Sequence, residues 1–121
     1  MGRLALLAVA ALLAACVSDG RPADLHCDEP TISLSAQLAH DSLDPSALAA
    51  CRGQQVSLTV TIGQDGVLHL HGYDTESKEV RSGETATFQF LADRSGQFVI
   101  ELHSAAHPSG VAVGIFTVYE P

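Results

Sequence analysis

Residues 55–74 read QVSLTVTIGQDGVLHLHGYD, and the period of their apolar side chains decides the fold class. Val56, Leu58, Val60 and Ile62 alternate with Ser57, Thr59 and Thr61. Successive side chains of a strand point to opposite faces, whereas a helix would gather positions three and four apart. The stretch 55–62 therefore predicts a half-buried strand. Gly63-Gln64-Asp65-Gly66 interrupts it as a turn, and VLHLH resumes as a strand with Leu68 and Leu70 on one face and His69 and His71 on the other.

The same period extends in both directions. Upstream, TISLSAQL sets Ile32, Leu34, Ala36 and Leu38 against Ser33, Ser35 and Gln37. Downstream, TATFQFLA, FVIELH and GVAVGIFTVYE each read as a strand, with ADRSGQ as a turn, and Phe98, Ile100 and Leu102 share a face. Between Leu38 and Cys51, Asp44 followed by Pro45 and Ser-Ala-Leu-Ala-Ala suggests a single helical turn capped by Asp44. Short alternating strands with turns about every ten residues predict an all-β chain, a small antiparallel sandwich or barrel. No internal repeat or low-complexity segment interrupts the pattern.

The first residues belong to a different physical problem. MGRLALLAVAALLAAC carries one Arg, an apolar run from Leu4 to Leu13, and small residues leading to Cys16. The run is too short to span a bilayer as a helix, so residues 1–15 read as a secretory signal peptide. Leu13-Ala14-Ala15-Cys16 resembles the bacterial lipobox, which implies cleavage before Cys16 and lipids on that residue; the alternative is a simple cleaved signal. Val17 rather than Asp follows, so nothing argues for retention at an inner membrane. Acyl chains contribute about 0.8 kcal/mol per buried methylene, enough together to anchor the protein without spanning. Residues 16–30 then form the lipidated Cys and a polar tether with Gly20, Pro22 and Pro30, and 31–121 the single domain.

With Cys16 set aside, Cys27 and Cys51 remain as an even pair in an exported chain. They read as one disulfide, worth about 3 kcal/mol in the chain-entropy model. The alternative, two thiolate ligands, meets no CxxC-type spacing. The net charge of −8 becomes −9 once Arg3 leaves with the signal peptide. No basic stripe offsets it, so nucleic acid is excluded as a partner.

Order and spacing from Gly53 to Pro121 resemble a cupredoxin-like domain. GQQVSLTV is similar to that family's strand after a Gly-Gln turn, and LHLHGYD to the place where it presents its first metal-binding histidine. VRSGETATFQFLADRSGQFVIEL resembles its Gly-Glu turn, aromatic strand and the strand leading to the copper loop, and GIFTV its closing strand. The resemblance implies a Greek-key β-sandwich of cupredoxin type, with residues 31–52 as a first strand and an insertion. The sequence also departs from the family. Where blue-copper members carry Cys, His and Met, this chain places Leu102, Ala105 and, near the last, Ala112, and its single Met is Met1. A blue-copper centre needs a thiolate, so type 1 electron transfer is excluded.

His69 and His71 are neighbours on one strand face, about 6.5–7 Å apart along the chain. The resemblance implies that His71, His69, His103 and His107 meet at one end of the sandwich, where imidazoles without thiolate suit Cu(II) or, alternatively, Zn(II). Asp74 and Glu101 are candidate supporting carboxylates or weak ligands. Strict alternation instead puts His69 and His71 on the solvent side, to be turned inward only by a bulge. His26 and His40 read as solvated surface residues. No phosphate loop, nucleophile elbow or paired carboxylates occur, so no catalytic residue is assigned and no enzyme is expected. The expected function is a cell-envelope lipoprotein, facing the periplasm or cell surface, that binds or handles copper, alone or beside a metal transporter or other envelope protein. The alternative is a metal-free accessory module of the same fold.

Overall fold

The computed structural model describes residues 20–73 and 76–121. The predicted signal peptide, Cys16 and Asp74 lie outside the described residues. Nine strands form: β1 (Thr31–Ala39), β2 (Ser42–Asp44), β3 (Ala47–Cys51), β4 (Gln55–Ile62), β5 (Gly66–Leu70), β6 (Ser77–Val80), β7 (Thr85–Leu91), β8 (Gly96–His103) and β9 (Val111–Tyr119). They build two sheets, one in the order β2-β1-β4-β7 and the other β3-β9-β8-β5-β6. Each sheet turns its apolar face inward, as the period of two demands.

The chain passes from one sheet to the other between β4 and β5 and again between β7 and β8. Gly63–Gly66 is therefore a bridge between layers rather than a hairpin. The sandwich is mixed instead of purely antiparallel, because β1 pairs parallel with β4 and β3 parallel with β9. A parallel pair needs a crossover connection, and the segment carrying β2 and β3 supplies it for β1 and β4.

That segment also corrects the expected helical turn. Residues 42–44 and 47–51 are strands, joined by a cis Asp44–Pro45 bond. Leu48 and Ala50 are buried two residues apart, which a pleated strand accommodates and a single helical turn does not. Pairing along β9 from Ala47–Ile115 to Cys51–Tyr119 outweighs a weak local helix signal.

The core joins Leu38, Leu43, Val56, Val60, Leu68, Leu102 and Phe116 among its most enclosed side chains. Tyr73, Phe90, Phe98 and Phe116 form an aromatic cluster with ring centroids 4.9–6.4 Å apart. Edge-on aromatic contacts add to the area they bury.

The Cys27–Cys51 disulfide is present and closes the pole where β3 ends and β4 begins. Beside it Gln54, 2% exposed, spends its whole side chain on the backbone. Its Nε2 donates to the carbonyls of His26 (2.8 Å) and Glu29 (2.9 Å), and its Oε1 accepts from the Cys51 N–H (2.8 Å). Residues 20–30, read as tether, are thus fastened to the domain at their end by one covalent and several polar links. Satisfying every polar atom is what makes a buried amide tolerable there.

Candidate functional site on the outer face of the β5–β8 pair

Leu68 and Leu70 enter the core at 2% and 4% exposure. Strict alternation therefore sends His69 outward from β5, and His71, in the turn that follows, points the same way. On β8 the inward residues are Ile100 and Leu102, so Glu101 and His103 share the outer face with the β5 histidines. Register places His69 opposite Glu101 and Val67 opposite His103. The His71 N–H donates to the carbonyl of Val99 at 3.0 Å, which holds the turn against β8.

Glu101 is the centre of the arrangement. Its Oε1 lies 2.6 Å from His103 Nε2 and its Oε2 3.3 Å from His71 Nε2. His69 leans on His71, with ring centroids 4.7 Å apart and planes inclined by 31°. The side chains of His71 and His103 are 48% and 38% exposed, that of Glu101 only 23%. A solute can thus reach both rings, while the carboxylate is partly enclosed between them. Burial raises the Glu101 pKa, but the hydrogen bonds and charges of His71 and His103 outweigh it and hold the carboxyl below its ordinary value.

His103 is oriented from behind. Its Nδ1 lies 3.2 Å from the Pro108 carbonyl. A carbonyl only accepts, so Nδ1 carries a hydrogen, and Nε2 faces Glu101 as a second donor when the ring is protonated. With one ring nitrogen tied to a backbone carbonyl, the other is aimed in a fixed direction, as in metal-binding histidines.

The structure corrects the expected meeting of histidines at one pole. His71 sits opposite Val99 and His103 lies four residues further along β8, a backbone separation of about 13 Å at strand rise. The two rings lean inward along the face and converge on Glu101, not on each other at a pole. A bulge does occur, at Ile100/Glu101 against β9 rather than beside His71. It shifts the partner of Glu101 from the expected Val113 to Ala112 and bends the sheet at the carboxylate.

His107 belongs to a different cluster. Its Nε2 is 3.0 Å from Asp41 Oδ2, while Asp41 Oδ1 accepts from Gln64 Nε2 at 2.8 Å and the Asp41 N–H donates to Gln64 Oε1 at 2.7 Å. This knot ties the loops after β1, β4 and β8. The hydrogen bond from Gln64 leads in holding the Asp41 carboxyl below its usual range, with His107 adding to it. His26 and His40 are exposed, His40 in a left-handed turn at φ 54°.

Leu102, which the sequence resemblance sets where blue-copper members carry Cys, is fully enclosed in the core, and Cys27 and Cys51, the two cysteines among the described residues, are joined to each other near the start of β8, at the end opposite His103. Among the described residues, no group of three or more His, Cys, Asp or Glu is placed to hold a metal ion as it stands. Glu101, expected from the sequence as a supporting carboxylate or weak ligand, shares its outward face with His103 two residues on. Gln54 and Gln64 carried no such signal, because their partners are backbone groups and loops distant in sequence.

No protein-family model and no curated protein matches this sequence. Solved structures do. The chain is similar to reduced auracyanin from Roseiflexus castenholzii at 18% identity and a TM-score of 0.56, covering 71% of this chain and 95% of that one. A copper-binding protein solved in its apo form matches at 7% identity and TM-score 0.58, covering 74% and 89%. Copper nitrite reductase from Nitrosomonas europaea matches at 17% identity and TM-score 0.58 over 74% of this chain but 42% of its own. The fold is that of a cupredoxin-like domain.

Proposed function

We propose that this cupredoxin-like domain is an exported binding module, held at a membrane surface through lipid on Cys16, that takes up a copper ion, or alternatively zinc, on the outer face of the β5–β8 pair. His71 and His103 would hold the ion with His69 beside them, and Glu101 would supply a carboxylate donor. The observation that carries this reading is the Glu101 carboxylate held between the Nε2 atoms of His71 and His103. Imidazole and carboxylate donors suit Cu(II), which binds more tightly than Zn(II) in the first-row order. Uptake requires an Nε2 lone pair on each ring, so protons compete with the ion and affinity falls as pH falls. The Pro108 carbonyl keeps His103 Nε2 directed at the face throughout. His107 is left out of the site because Asp41 holds its Nε2. The reading extends to a partner in the envelope, such as a metal transporter, that gives or receives the ion.

A second reading, a metal-free accessory module, is favoured by the occupants of the blue-copper positions, Leu102, Ala105 and Ala112. One titration separates the two. Cu(II) or Zn(II) at micromolar concentration is added while the histidine ring signals are followed by NMR. Selective change at His69, His71 and His103, with His26 and His40 unmoved, supports metal uptake; unchanged rings leave the accessory module. Release of the Cys16→Ser chain from membranes tests the anchor.

A further inference from the structure

The chain enters the domain at a defined place. Gly20 and Arg21 are both tied to the end of β9: the Tyr119 hydroxyl donates to the Gly20 carbonyl at 3.1 Å, and Arg21 Nη1 donates to the Glu120 carbonyl at 3.4 Å. Arg21 Nη1 also lies 3.3 Å from Cys27 Sγ, and beyond it the disulfide and the Gln54 amide hold the segment as far as Glu29. Residues 20–30 are therefore part of the domain at its disulfide pole. Cys16 precedes Gly20 by four residues. A chain extends by at most about 3.3–3.6 Å per residue, so no conformation carries Cys16 farther than about 14 Å from Gly20. Away from this pole, β8 runs from Gly96, beside Val118, to His103, about 23 Å at strand rise. The reach of the anchor is shorter than the domain is long.

Charge is unevenly divided between the two ends. Residues 20–30, 51–54, 92–95 and 119–121 hold three arginines, Arg21, Arg52 and Arg94, against five acids. Two of those acids, Glu120 and Asp93, are paired with Arg52 and Arg94. The other described residues hold Lys78 and Arg81 against seven acids. With His neutral, the formal charge is −2 at the disulfide pole and −5 over the remainder. An anionic lipid surface repels the acidic remainder more strongly and turns the arginine pole toward itself.

We propose that the disulfide pole is the surface that meets the bilayer, so that the sandwich stands with loop 104–110 outermost. This rests on the lipid at Cys16 proposed above. Arg52 and Arg94, with side chains 47% and 56% exposed, then lie nearest the lipid phosphates. The histidine face runs outward from the membrane, with His71 nearer to it and His103 farther. A partner that exchanges an ion at His103 must rise above the headgroups by about the length of β8.

Fluorescence of the full lipidated chain in vesicles tests this. With Cys16 acylated and Cys27 bonded to Cys51, one added Cys is the single thiol to label. Four exposed positions each receive a small fluorophore: Pro121→Cys at the disulfide pole, Ala105→Cys at the opposite one, Val67→Cys on the histidine face and Thr87→Cys on the outer face of the first sheet. The vesicles, of phosphatidylethanolamine and phosphatidylglycerol, include a phospholipid with a nitroxide on its headgroup, which quenches emission on contact. Emission should be lost at position 121 and kept at 105, with lesser loss at 67 and 87. Loss at 105 equal to that at 121, or greater loss at 67 or 87, in chains that float with the vesicles overturns the orientation and leaves the anchor standing. Chains that stay in solution overturn the anchor and the proposal with it. Inserting about twelve Gly and Ser residues after Asp19 adds a root-mean-square reach of about 20 Å and should restore emission at position 121; unchanged loss overturns the short reach as its cause. None of these outcomes depends on copper.

Discussion

Gly72→Ala should cost far more than its size suggests, because Gly72 joins His71 of the site to Tyr73 of the core. Gly72 has φ 82°, and a Cβ built there would stand 2.5 Å from Phe98 Cδ1 and 2.9 Å from Cε1. A side chain in the left-handed region costs about 1–2 kcal/mol by itself. The Phe98 ring has little room to yield: Tyr73 is 5.0 Å away on one side and the Arg94 guanidinium 5.8 Å away over its face. Overpacking of this kind adds about 1–3 kcal/mol, for a total of about 2–5 kcal/mol. Gly83 provides the control, with φ 90° and nothing within 4 Å of its Cβ position, so Gly83→Ala should lose only the backbone share of about 1–2 kcal/mol. Urea unfolding of both variants, followed by far-UV circular dichroism, measures the difference. In thermal melts each kcal/mol shifts the midpoint by about 4–8 °C in a domain of this size. If Gly72→Ala loses no more stability than Gly83→Ala, the Phe98 contact does not hold the turn and the reasoning fails.

Four further outcomes are expected. Replacing Cys27 and Cys51 by Ala opens a loop with a sequence separation of 24, and the chain-entropy model gives a loss of about 3 kcal/mol; two thiols reacting without reductant in the unfolded wild type would contradict the bridge. Phe116→Ala removes a fully enclosed ring that touches Tyr73 and Phe90 and should cost about 3–5 kcal/mol in the same urea assay. Because Glu101 titrates below its ordinary 4.5 in the folded protein, its contribution is present above that value and is lost as pH falls through the lowered one. Glu101→Gln should therefore flatten part of the acid limb of stability against pH, and the two curves should draw together at the lowest pH; parallel curves would show that the His71 and His103 contacts contribute nothing. In the copper titration, His71→Ala or His103→Ala should weaken uptake while His107→Ala leaves it unchanged, and equal effects from all three would place the site elsewhere.

How far the molecule could be read from residue order differs from one part to the next. The alternation of Val56, Leu58, Val60 and Ile62 names both the strand and its buried side without reference to any partner, and the same holds for β1 and β8; β9 was legible as a strand, but its buried side chains shift phase between Val113 and Phe116. The expectation of export and an even pair of cysteines likewise pointed to a bridge that the fold contains. Residues 42–51 defeated local reading: Asp44, Pro45 and a run of Ala carry a helical signal of a few tenths of a kcal/mol per residue, against which the chain gains a complete parallel ladder on β9. β6 went unread because SKEV has a single buried side chain, Val80, and so no period to detect.

For the site, alternation alone decided that Leu68 and Leu70 face the core and that His69 and His71 face water, since that follows from the two-residue period of a strand. Which histidines meet was a matter for tertiary structure. Separation along the chain does not encode register, and it is the register of β5 on β8, with the bulge at Ile100/Glu101, that sets Glu101 between His71 and His103. The same packing draws His107 away to Asp41, a residue 66 positions distant, because contacts between loops depend on where three separate strands end and not on the residues nearest in sequence.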